Sequence, residues 1–241
     1  MTTELPACAV VGRGRLGSAL AAALRSAGVP VDGPLGRGAT GAGAAVVLLC
    51  VPDAEIAAAA ACLRGGPDGL LVGHCSGATT LAPLHPHEAF SLHPLMTVPG
   101  AGADFAGVPA AIAGDTGRAR DVARRLASAL GMTPFTVADA DRPAYHAAAS
   151  MASNFLVTLE WAAQRVGGID RELLAPIVRA TVENWVAYGP QAALTGPIAR
   201  GDEATVDRQR AAVAERAPDL APLFDALAGA TRRLAQEAVA A

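Results

Sequence analysis

The fold of this chain is decided by the stretch Ala7-Cys8-Ala9-Val10-Val11-Gly12-Arg13-Gly14-Arg15-Leu16-Gly17. Its first five residues form a short apolar run, which predicts a strand over Ala7–Val11. An alanine-rich segment follows and predicts a helix from about Leu16 to Ala27. A Gly-x-Gly-x-x-Gly turn lies between the strand and the helix. This pattern indicates dinucleotide binding only when it follows a strand and begins a helix. The stretch therefore predicts a dinucleotide-binding unit, with a glycine-rich turn that binds no ligand as the alternative.

The three glycines of this turn have separate roles in such a unit. The first permits the tight turn, the second lets the backbone approach a pyrophosphate, and the third lets helix and strand pack closely. The start of the helix offers free N–H groups and a partial positive charge to the phosphates. We therefore expect six consecutive residues to bind the cofactor: Gly12, Arg13, Gly14, Arg15, Leu16 and Gly17.

Arg37, twenty residues past Gly17, favours NADP(H) over NAD(H) as the cofactor. An acidic residue at this distance would bind the ribose hydroxyls of NAD, whereas a guanidinium pairs bidentately with the 2′-phosphate of NADP. Asp32 is the competing candidate and would favour NAD, but it comes early, before Gly33-Pro34. An Arg37 that is merely solvated is the other alternative.

Short apolar runs alternate with helical patterns through the first part of the chain, which predicts a doubly wound parallel sheet of the α/β class. Further strands are predicted at Val29–Val31, Ala44–Val51, Leu70–His74, Glu88–Leu92, Val108–Ala113 and Thr133–Val137. Further helices are predicted at about Ala54–Leu63 and Arg118–Leu130.

After Asp141 only helical patterns remain. Helices are predicted at Pro143–Val166, Arg171–Tyr188, Glu203–Arg216 and Pro218–Ala240, with a turn over Gly189–Gly201. The sequence thus predicts a Rossmann domain over residues 1–140 and a helical substrate or dimerisation domain over residues 141–241. The alanine- and leucine-rich helices expose apolar surface, which predicts a homodimer.

Two predicted strand ends supply the walls of a cofactor cleft. Open parallel sheets bind ligands just outside the carboxyl ends of their strands. Val51 and Pro52 follow the third strand and are expected to line the cleft. Ser76 and Gly77 follow the fourth strand and are expected near the nicotinamide.

Hydride transfer to a carbonyl needs a proton donor, and the long helix after residue 143 offers one. His146, Ser150 and Asn154 are spaced i, i+4 and i+8, which places them along one side of an α-helix. We expect His146 to donate the proton and the other two to orient the substrate; helix–helix contacts are the alternative. His93, in a loop after the fifth strand, is a second histidine candidate, and Arg200 is a candidate for holding a substrate carboxylate.

Composition excludes several other classes of protein. The net charge is −3, and all 19 basic residues are arginines without a basic block, so we expect no nucleic-acid partner and no lysine catalyst. The four cysteines form no Cys-x-x-Cys pair, and His85 and His87 have no nearby acidic or thiol partner, so no metal site is expected. The apolar setting of the thiols, together with the lack of a signal peptide or membrane span, predicts a cytoplasmic protein without a membrane partner.

Six stretches carry a resemblance to a known family: VVGRGRLG (10–17), LLCVPD (48–53), HCSGA (74–78), SLHPLMTV (91–98), YHAAASMASNF (145–155) and ALTGPIARGD (193–202). The chain resembles the Rossmann-like proteins that carry a C-terminal domain of unknown function, DUF2520. The resemblance spans nearly the whole chain and implies an NADP-dependent oxidoreductase acting on a small molecule.

More distantly, the chain is similar to ketopantoate reductases, pyrroline-5-carboxylate reductases and β-hydroxyacid dehydrogenases. These families pair a Rossmann domain with a helical domain that often dimerises. Ketopantoate reductases have a lysine followed four and eight residues later by asparagines, at the places that His146, Ser150 and Asn154 take here. The resemblance implies reduction of a small keto acid or imine, with a ketopantoate-like substrate first. A non-catalytic dinucleotide-binding or sensing module is the alternative.

Overall fold

The computed structural model describes residues 5–41, 43–63 and 69–237. Its contacts divide the chain into two compact units, Met1–Met151 and Ala152–Ala241. The predicted domains, 1–140 and 141–241, stay a prediction, because compactness alone does not say where a separately folding domain ends.

The first unit is built on a seven-stranded sheet in the order β2-β1-β3-β4-β5-β6-β7. The strands are β1 Cys8–Val11, β2 Val31–Leu35, β3 Val46–Leu49, β4 Leu71–His74, β5 Glu88–Pro94, β6 Pro109–Gly114 and β7 Thr133–Thr136. Strands β1 to β5 are parallel, β6 is antiparallel to β5, and β7 is parallel to β6. The predicted fold class is confirmed: a doubly wound, mostly parallel Rossmann sheet followed by helices.

Four helices belong to this unit: α1 Arg15–Ser26, α2 Ile56–Ala61, α3 Gly117–Ala129 and α4 Arg142–Ser150. Side chains of the central strands alternate between the two faces of the sheet. Val10 and Leu48 pack in one apolar cluster with Leu20 of α1, whereas Val47 packs in a second cluster with Ile56 of α2. Because both faces are covered, β3 is buried along its whole length.

Three features of the sheet differ from the prediction. Strand β2 runs over Val31–Leu35 and not over the predicted Val29–Val31, so Asp32 lies within a strand. The antiparallel direction of β6 was not predicted, because a strand's direction depends on its partner and not on its own residues. Strand β5 runs on to Pro94, beyond the predicted end at Leu92, so His93 lies within a strand and opposite Ala111. The ladder therefore fixes the backbone of His93, which the sequence placed in a loop.

The second unit is helical, with α5 Leu156–Gly167, α6 Arg171–Ala193, α7 Glu203–Arg216 and α8 Ala221–Glu237. The segment predicted as helical over Pro143–Val166 is helical throughout, but a π-helical turn over Met151–Phe155 joins α4 to α5, so it is not a single α-helix. Helix α6 continues past a kink at Gly189 to Ala193, where a turn was predicted. None of the described helices is both long and apolar enough to span a membrane.

Helices α5 and α6 leave many large apolar side chains exposed. Helix α6 has 23 residues, and none of them is buried. The exposed large side chains of the two helices are Val157, Leu159, Trp161, Leu173, Ile177, Val182, Trp185, Val186 and Tyr188. Apolar surface on this scale is typical of a face that another protein surface covers.

Candidate functional site

The carboxyl ends of strands β1, β3, β4 and β5 lie along one edge of the sheet, because these strands are parallel. Gly12 follows β1, Cys50 follows β3, Ser76 comes shortly after β4, and His93 stands near the end of β5. Strand β2 lies on one side of β1, and β3 to β5 lie on the other side, so the direction in which strands are added to the sheet reverses at β1. Such a reversal point is where open α/β sheets bind their ligands.

A cavity of about 630 Å³ opens at this reversal point, a volume within the usual range of small-molecule sites. The predicted cofactor residues that line it are Gly12, Arg13, Gly14, Arg37, Val51 and Pro52. Arg15, Leu16, Gly17 and Ser76 are not among the lining residues. Asp32, the residue that would favour NAD, is also outside the lining, whereas Arg37 is part of it.

The glycines of the first turn are explained by the space around them. Gly12 has φ +124°, and a Cβ there would lie 2.1 Å from the carbonyl oxygen of Cys50. A Cβ on Gly17 would lie 2.0 Å from the carbonyl oxygen of Gly12. A Cβ on Gly14, by contrast, would have no neighbouring atom within 4 Å. Gly12 and Gly17 therefore serve the turn itself, while Gly14 leaves room for a ligand to approach.

The start of α1 is open to an anion. Gly14 is its N-cap and supplies no side-chain acceptor, and the first turn has no acidic residue. The free N–H groups and the partial positive charge of the helix therefore have no competing partner from a cap. This is the local geometry that binds phosphates in dinucleotide folds.

Two arginines bring positive charge to the cavity. Arg37 is exposed, and its guanidinium pairs with the carboxylate of Glu55 at 2.5 Å. The Arg13 guanidinium lies beside Gly36, where a Cβ would be 3.4 Å from Arg13 Cζ. Glu55 also lines the cavity, so it competes with an incoming anion for Arg37.

The loop after β4 is held by its own side chains. The Ser76 hydroxyl donates to Asp53 Oδ2 at 2.8 Å and accepts from the Thr79 N–H at 2.9 Å. The Ser76 N–H donates to His74 Nδ1 at 3.2 Å, so the proton of the neutral ring is on Nε2, which donates to the Thr80 carbonyl at 3.0 Å. Burial lowers the pKa of His74, which suits this neutral form. Ser76 thus ties the loops after β3 and β4 together.

Beyond this loop the structure brings His93 and His146 together. A Cβ on Gly77 would lie 3.0 Å from His93 Nε2 and 3.1 Å from His146 Cδ2, so both imidazoles border the same glycine. His93 Nδ1 is 2.7 Å from the Tyr145 hydroxyl, and the two rings meet edge-on with centroids 5.6 Å apart. Burial, followed by the charges of His146 and Arg142, lowers the pKa of His93 to about 4.

Tyr145 and Arg142 were missed in the sequence. Arg142 opens α4 and is 2% exposed. Its Nε donates to Asp139 Oδ1 at 2.8 Å and its terminal nitrogen to Ser91 Oγ at 2.7 Å. These bonds join the start of α4 to β5 and thereby place Tyr145 beside His93. No local pattern marks Arg142 as buried; the adjacency of Tyr145 to His146 was the one available signal.

More than half of the chain matches one known protein family. Residues 108–231 match the family described as a domain of unknown function, DUF2520. The chain belongs to the DUF2520 family. The resemblance predicted from the sequence is therefore confirmed. No curated protein matches the chain.

Solved structures share the fold of this DUF2520 protein at low sequence identity. BF3122 from Bacteroides fragilis, described as a candidate NADP oxidoreductase, is 18% identical with a TM-score of 0.81, over 95% of this chain and 98% of that one. Protein TM1727 from Thermotoga maritima is 22% identical with a TM-score of 0.75, over 95% and 98%. Plasmodium falciparum pyrroline carboxylate reductase, solved with NADP bound, is 11% identical with a TM-score of 0.59, over 97% and 99%. At these identities the likeness shows the fold.

The other predicted catalytic residues of the DUF2520 protein lie on different kinds of helix. Ser150 is the last residue of α4, and Asn154 lies exposed in the π-helical turn. A π turn has more residues than an α turn, so the i, i+4 and i+8 spacing alone does not fix whether Asn154 shares a side with His146 and Ser150. Their roles in orienting a substrate stay predictions, as does that of Arg200, whose guanidinium donates to the Thr195 carbonyl at 2.6 Å.

His85 and His87 have partners within the fold. His85 Nε2 is 3.1 Å from Asp115 Oδ2, and His87 Nε2 is 3.1 Å from the Ala60 carbonyl. Within the described residues, no three histidine, cysteine, aspartate or glutamate side chains are grouped as metal ligands.

Proposed function

We propose that this DUF2520 protein is an NADP(H)-dependent oxidoreductase that reduces the carbonyl or imine group of a small molecule. One observation carries the proposal: the cavity at the reversal point of the sheet is lined by the glycine turn, by the open start of α1 at Gly14, and by two arginines. An open helix start suits a pyrophosphate, and the arginines Arg13 and Arg37 suit a 2′-phosphate.

The residues along the sheet edge fit the successive parts of this cofactor. Gly12, Gly14 and the start of α1 would hold the pyrophosphate, Arg37 the 2′-phosphate, and Pro52 the wall of the cleft. Gly77 follows β4, which is three strand spacings or about 14 Å from β2, so an extended dinucleotide held at Arg37 would lie along the sheet edge in the direction of Gly77. When bound, a reduced nicotinamide supplies a hydride.

His146 is the proposed proton donor to the reduced group. It borders Gly77 and is exposed, so it can regain a proton from solvent after each turnover. Ser150 and Asn154 are proposed to orient the substrate. A small keto acid or imine is the proposed substrate class, with a ketopantoate-like substrate first, on the strength of the family resemblance.

A homodimer is part of the proposal. Helix α6 has 23 residues and none is buried, and its exposed side chains include leucine, isoleucine, valine and tryptophan, which supports a surface that a partner covers. A second copy of the chain supplies an equally apolar face, and a two-fold pairing would cover both at once.

Fluorescence titration of the purified protein with NADPH and with NADH tests the cofactor. We expect NADPH to bind more tightly, and Arg124→Ala, on the exposed face of α3, to change neither affinity. A panel of keto acids and cyclic imines, ketopantoate included, then tests turnover by NADPH oxidation. A protein that binds neither dinucleotide overturns the proposal, and tight binding without turnover on the whole panel supports a sensing module.

A further inference from the structure

The Nε2 atom of His93 is a polar group at the sheet edge without a partner. Its other nitrogen, Nδ1, is engaged by Tyr145, but no hydrogen bond to Nε2 exists within residues 5–41, 43–63 and 69–237. None of the fully buried side-chain nitrogens or oxygens of this part of the chain lacks a partner, so Nε2 is not fully buried. A ring fixed at one nitrogen and free at the other is suited to contact a ligand.

Gly77 keeps this nitrogen accessible. A Cβ at position 77 would lie 2.9 Å from His93 Cε1 and 3.0 Å from Nε2, closer than real side chains pack. Gly77 does not have a positive φ, so a glycine is required here because a side chain would not fit, and not because of the backbone conformation. The absence of a side chain leaves the Cε1–Nε2 edge of His93 open beside the loop that follows β4.

The contact with Tyr145 decides which nitrogen of His93 carries the proton. The phenol O–H is more acidic than the N–H of a neutral imidazole, and an imidazole lone pair is a stronger acceptor than a phenol oxygen. The favoured arrangement is therefore a Tyr145 O–H that donates to Nδ1, which leaves the proton of His93 on Nε2. Burial raises the pKa of Tyr145, which keeps its hydroxyl protonated.

We infer that His93 is a second catalytic residue of the proposed reductase: its Nε2–H donates a hydrogen bond to the substrate carbonyl oxygen or imine nitrogen, and Tyr145 is the positioning residue that fixes this tautomer. The inference rests on the proposed function. When the substrate carbon accepts a hydride, which the bound cofactor would supply, the π electron pair of C=O or C=N moves to the heteroatom. The Nε2–H bond stabilises the charge that develops there. The proton from His146 then neutralises it.

The charge state of His93 fits this role. Its pKa of about 4 makes the ring neutral at physiological pH, as burial, His146 and Arg142 all oppose a positive charge and only Asp53, more weakly, favours one. A neutral imidazole is a competent hydrogen-bond donor to a reacting oxygen. The two histidines thus have different roles: His146 donates a proton, and the neutral His93 donates a hydrogen bond.

Nitrogen NMR of the cofactor-free protein tests the tautomer without any substrate. With 15N-labelled histidine, and with His93→Gln to assign the signals, we expect His93 to be neutral with its proton on Nε2. Tyr145→Phe removes the donor and should convert His93 to a mixture of tautomers. A proton on Nδ1 in the unaltered protein, or an unchanged tautomer in Tyr145→Phe, overturns the inference.

Kinetics test the catalytic role. Loss of one oxyanion donor costs about 100-fold or more in kcat, so we expect this loss in His93→Leu, with partial rescue in His93→Gln, whose amide can donate. Tyr145→Phe should lower kcat while the Kd for NADPH stays unchanged. Phe135→Leu, which alters only a ring beside Tyr145, is the control for packing and should retain kcat. An unchanged kcat in Tyr145→Phe contradicts a positioning role.

The two failures are distinguishable. If the tautomer is as expected but the protein binds no dinucleotide, the proposed function is wrong, and the role of His93 with it. If the protein turns over a substrate but His93→Leu retains kcat, only the present inference is wrong.

Discussion

The guanidinium of Arg37 forms an ion pair with the carboxylate of Glu55, and both side chains line the cavity at the reversal point of the sheet. The carboxylate therefore pairs with the group that we propose to bind the 2′-phosphate of NADP. Glu55→Gln should tighten NADPH about 2- to 5-fold, the range of an exposed ion pair, because it removes a competitor and a repulsive charge. Isothermal titration calorimetry checks this; weaker NADPH binding in Glu55→Gln would mean that Glu55 helps to hold the cofactor.

Arg37→Ala should have the opposite effect and should be specific to NADP. A charge-assisted hydrogen bond to phosphate is worth about 1.5 to 3 kcal/mol, so NADPH should bind roughly 10- to 100-fold more weakly. NADH has no 2′-phosphate and should be affected little. Equal losses for both dinucleotides would contradict the assignment of Arg37 to the 2′-phosphate.

Substitution of the glycine turn should separate folding from binding. Gly12→Ala forces a Cβ against the Cys50 carbonyl at positive φ, and we expect it to lower the free energy of unfolding by about 3 kcal/mol or more. Gly14→Ala meets no atom and has ordinary backbone angles, so its cost should stay below about 1 kcal/mol.

The same Gly14→Ala variant should bind NADPH at least about tenfold more weakly, because its methyl group occupies the path of the pyrophosphate. Urea unfolding and fluorescence titration on both variants give the two readouts. A Gly14→Ala protein with full affinity would place the phosphates elsewhere.

The neutral His93 should make stability depend on pH. Above pH 6.5 the ring is neutral in both the folded and the unfolded chain and contributes no pH dependence. As pH falls from about 6.5 toward about 4, the unfolded chain binds a proton that the folded chain does not, so the free energy of unfolding falls, by at most about 3 kcal/mol. The lowered pKa of His74 acts in the same direction.

Urea unfolding at about pH 7 and about pH 5 measures this dependence. His93→Gln removes one titrating ring and should make the two free energies differ less than in the unaltered protein. An unchanged difference would show that His93 is protonated as readily in the folded chain as in the unfolded one.

A charge on α6 should prevent the proposed dimer. Ile177 is exposed in the single chain, and Ile177→Glu would place two carboxylates in an apolar interface. We expect light scattering to give the mass of one chain for this variant and of two chains for the unaltered protein. Ala211→Glu, at an exposed position of α7, is the matched control and should remain dimeric. An unaltered protein with the mass of one chain would remove the dimer from the proposal.

The parts of the site that could be predicted are those that depend on residues close together in the sequence. The glycine turn lies between its own strand and helix, Pro52 follows a predicted strand, and Arg37 stands at a characteristic spacing from Gly17; all three line the cavity. The contact between His93 and Tyr145 joins residues 52 positions apart. It depends on where β5 ends and on how Arg142 holds α4, and neither can be read from a local period.

The same reasoning explains the errors in the fold. The π turn at Met151–Phe155 lies inside a helical segment, and a helical sequence pattern does not distinguish a π turn from an α turn. The direction of β6 is set by its pairing with β5, between residues such as Phe90 and Gly114 that are distant in the chain. The composition of a segment indicates whether it forms a helix or a strand. It does not indicate which other elements pack or pair with that segment.

The carbonyl oxygen of Cys50 fills the volume that a side chain at position 12 would require. The glycine turn at Gly12 and the end of β3 are therefore in direct backbone contact. Neither can be redesigned while the other keeps its present path. A protein engineer who wishes to reshape the glycine loop would have to change the path of the chain after Leu49 at the same time.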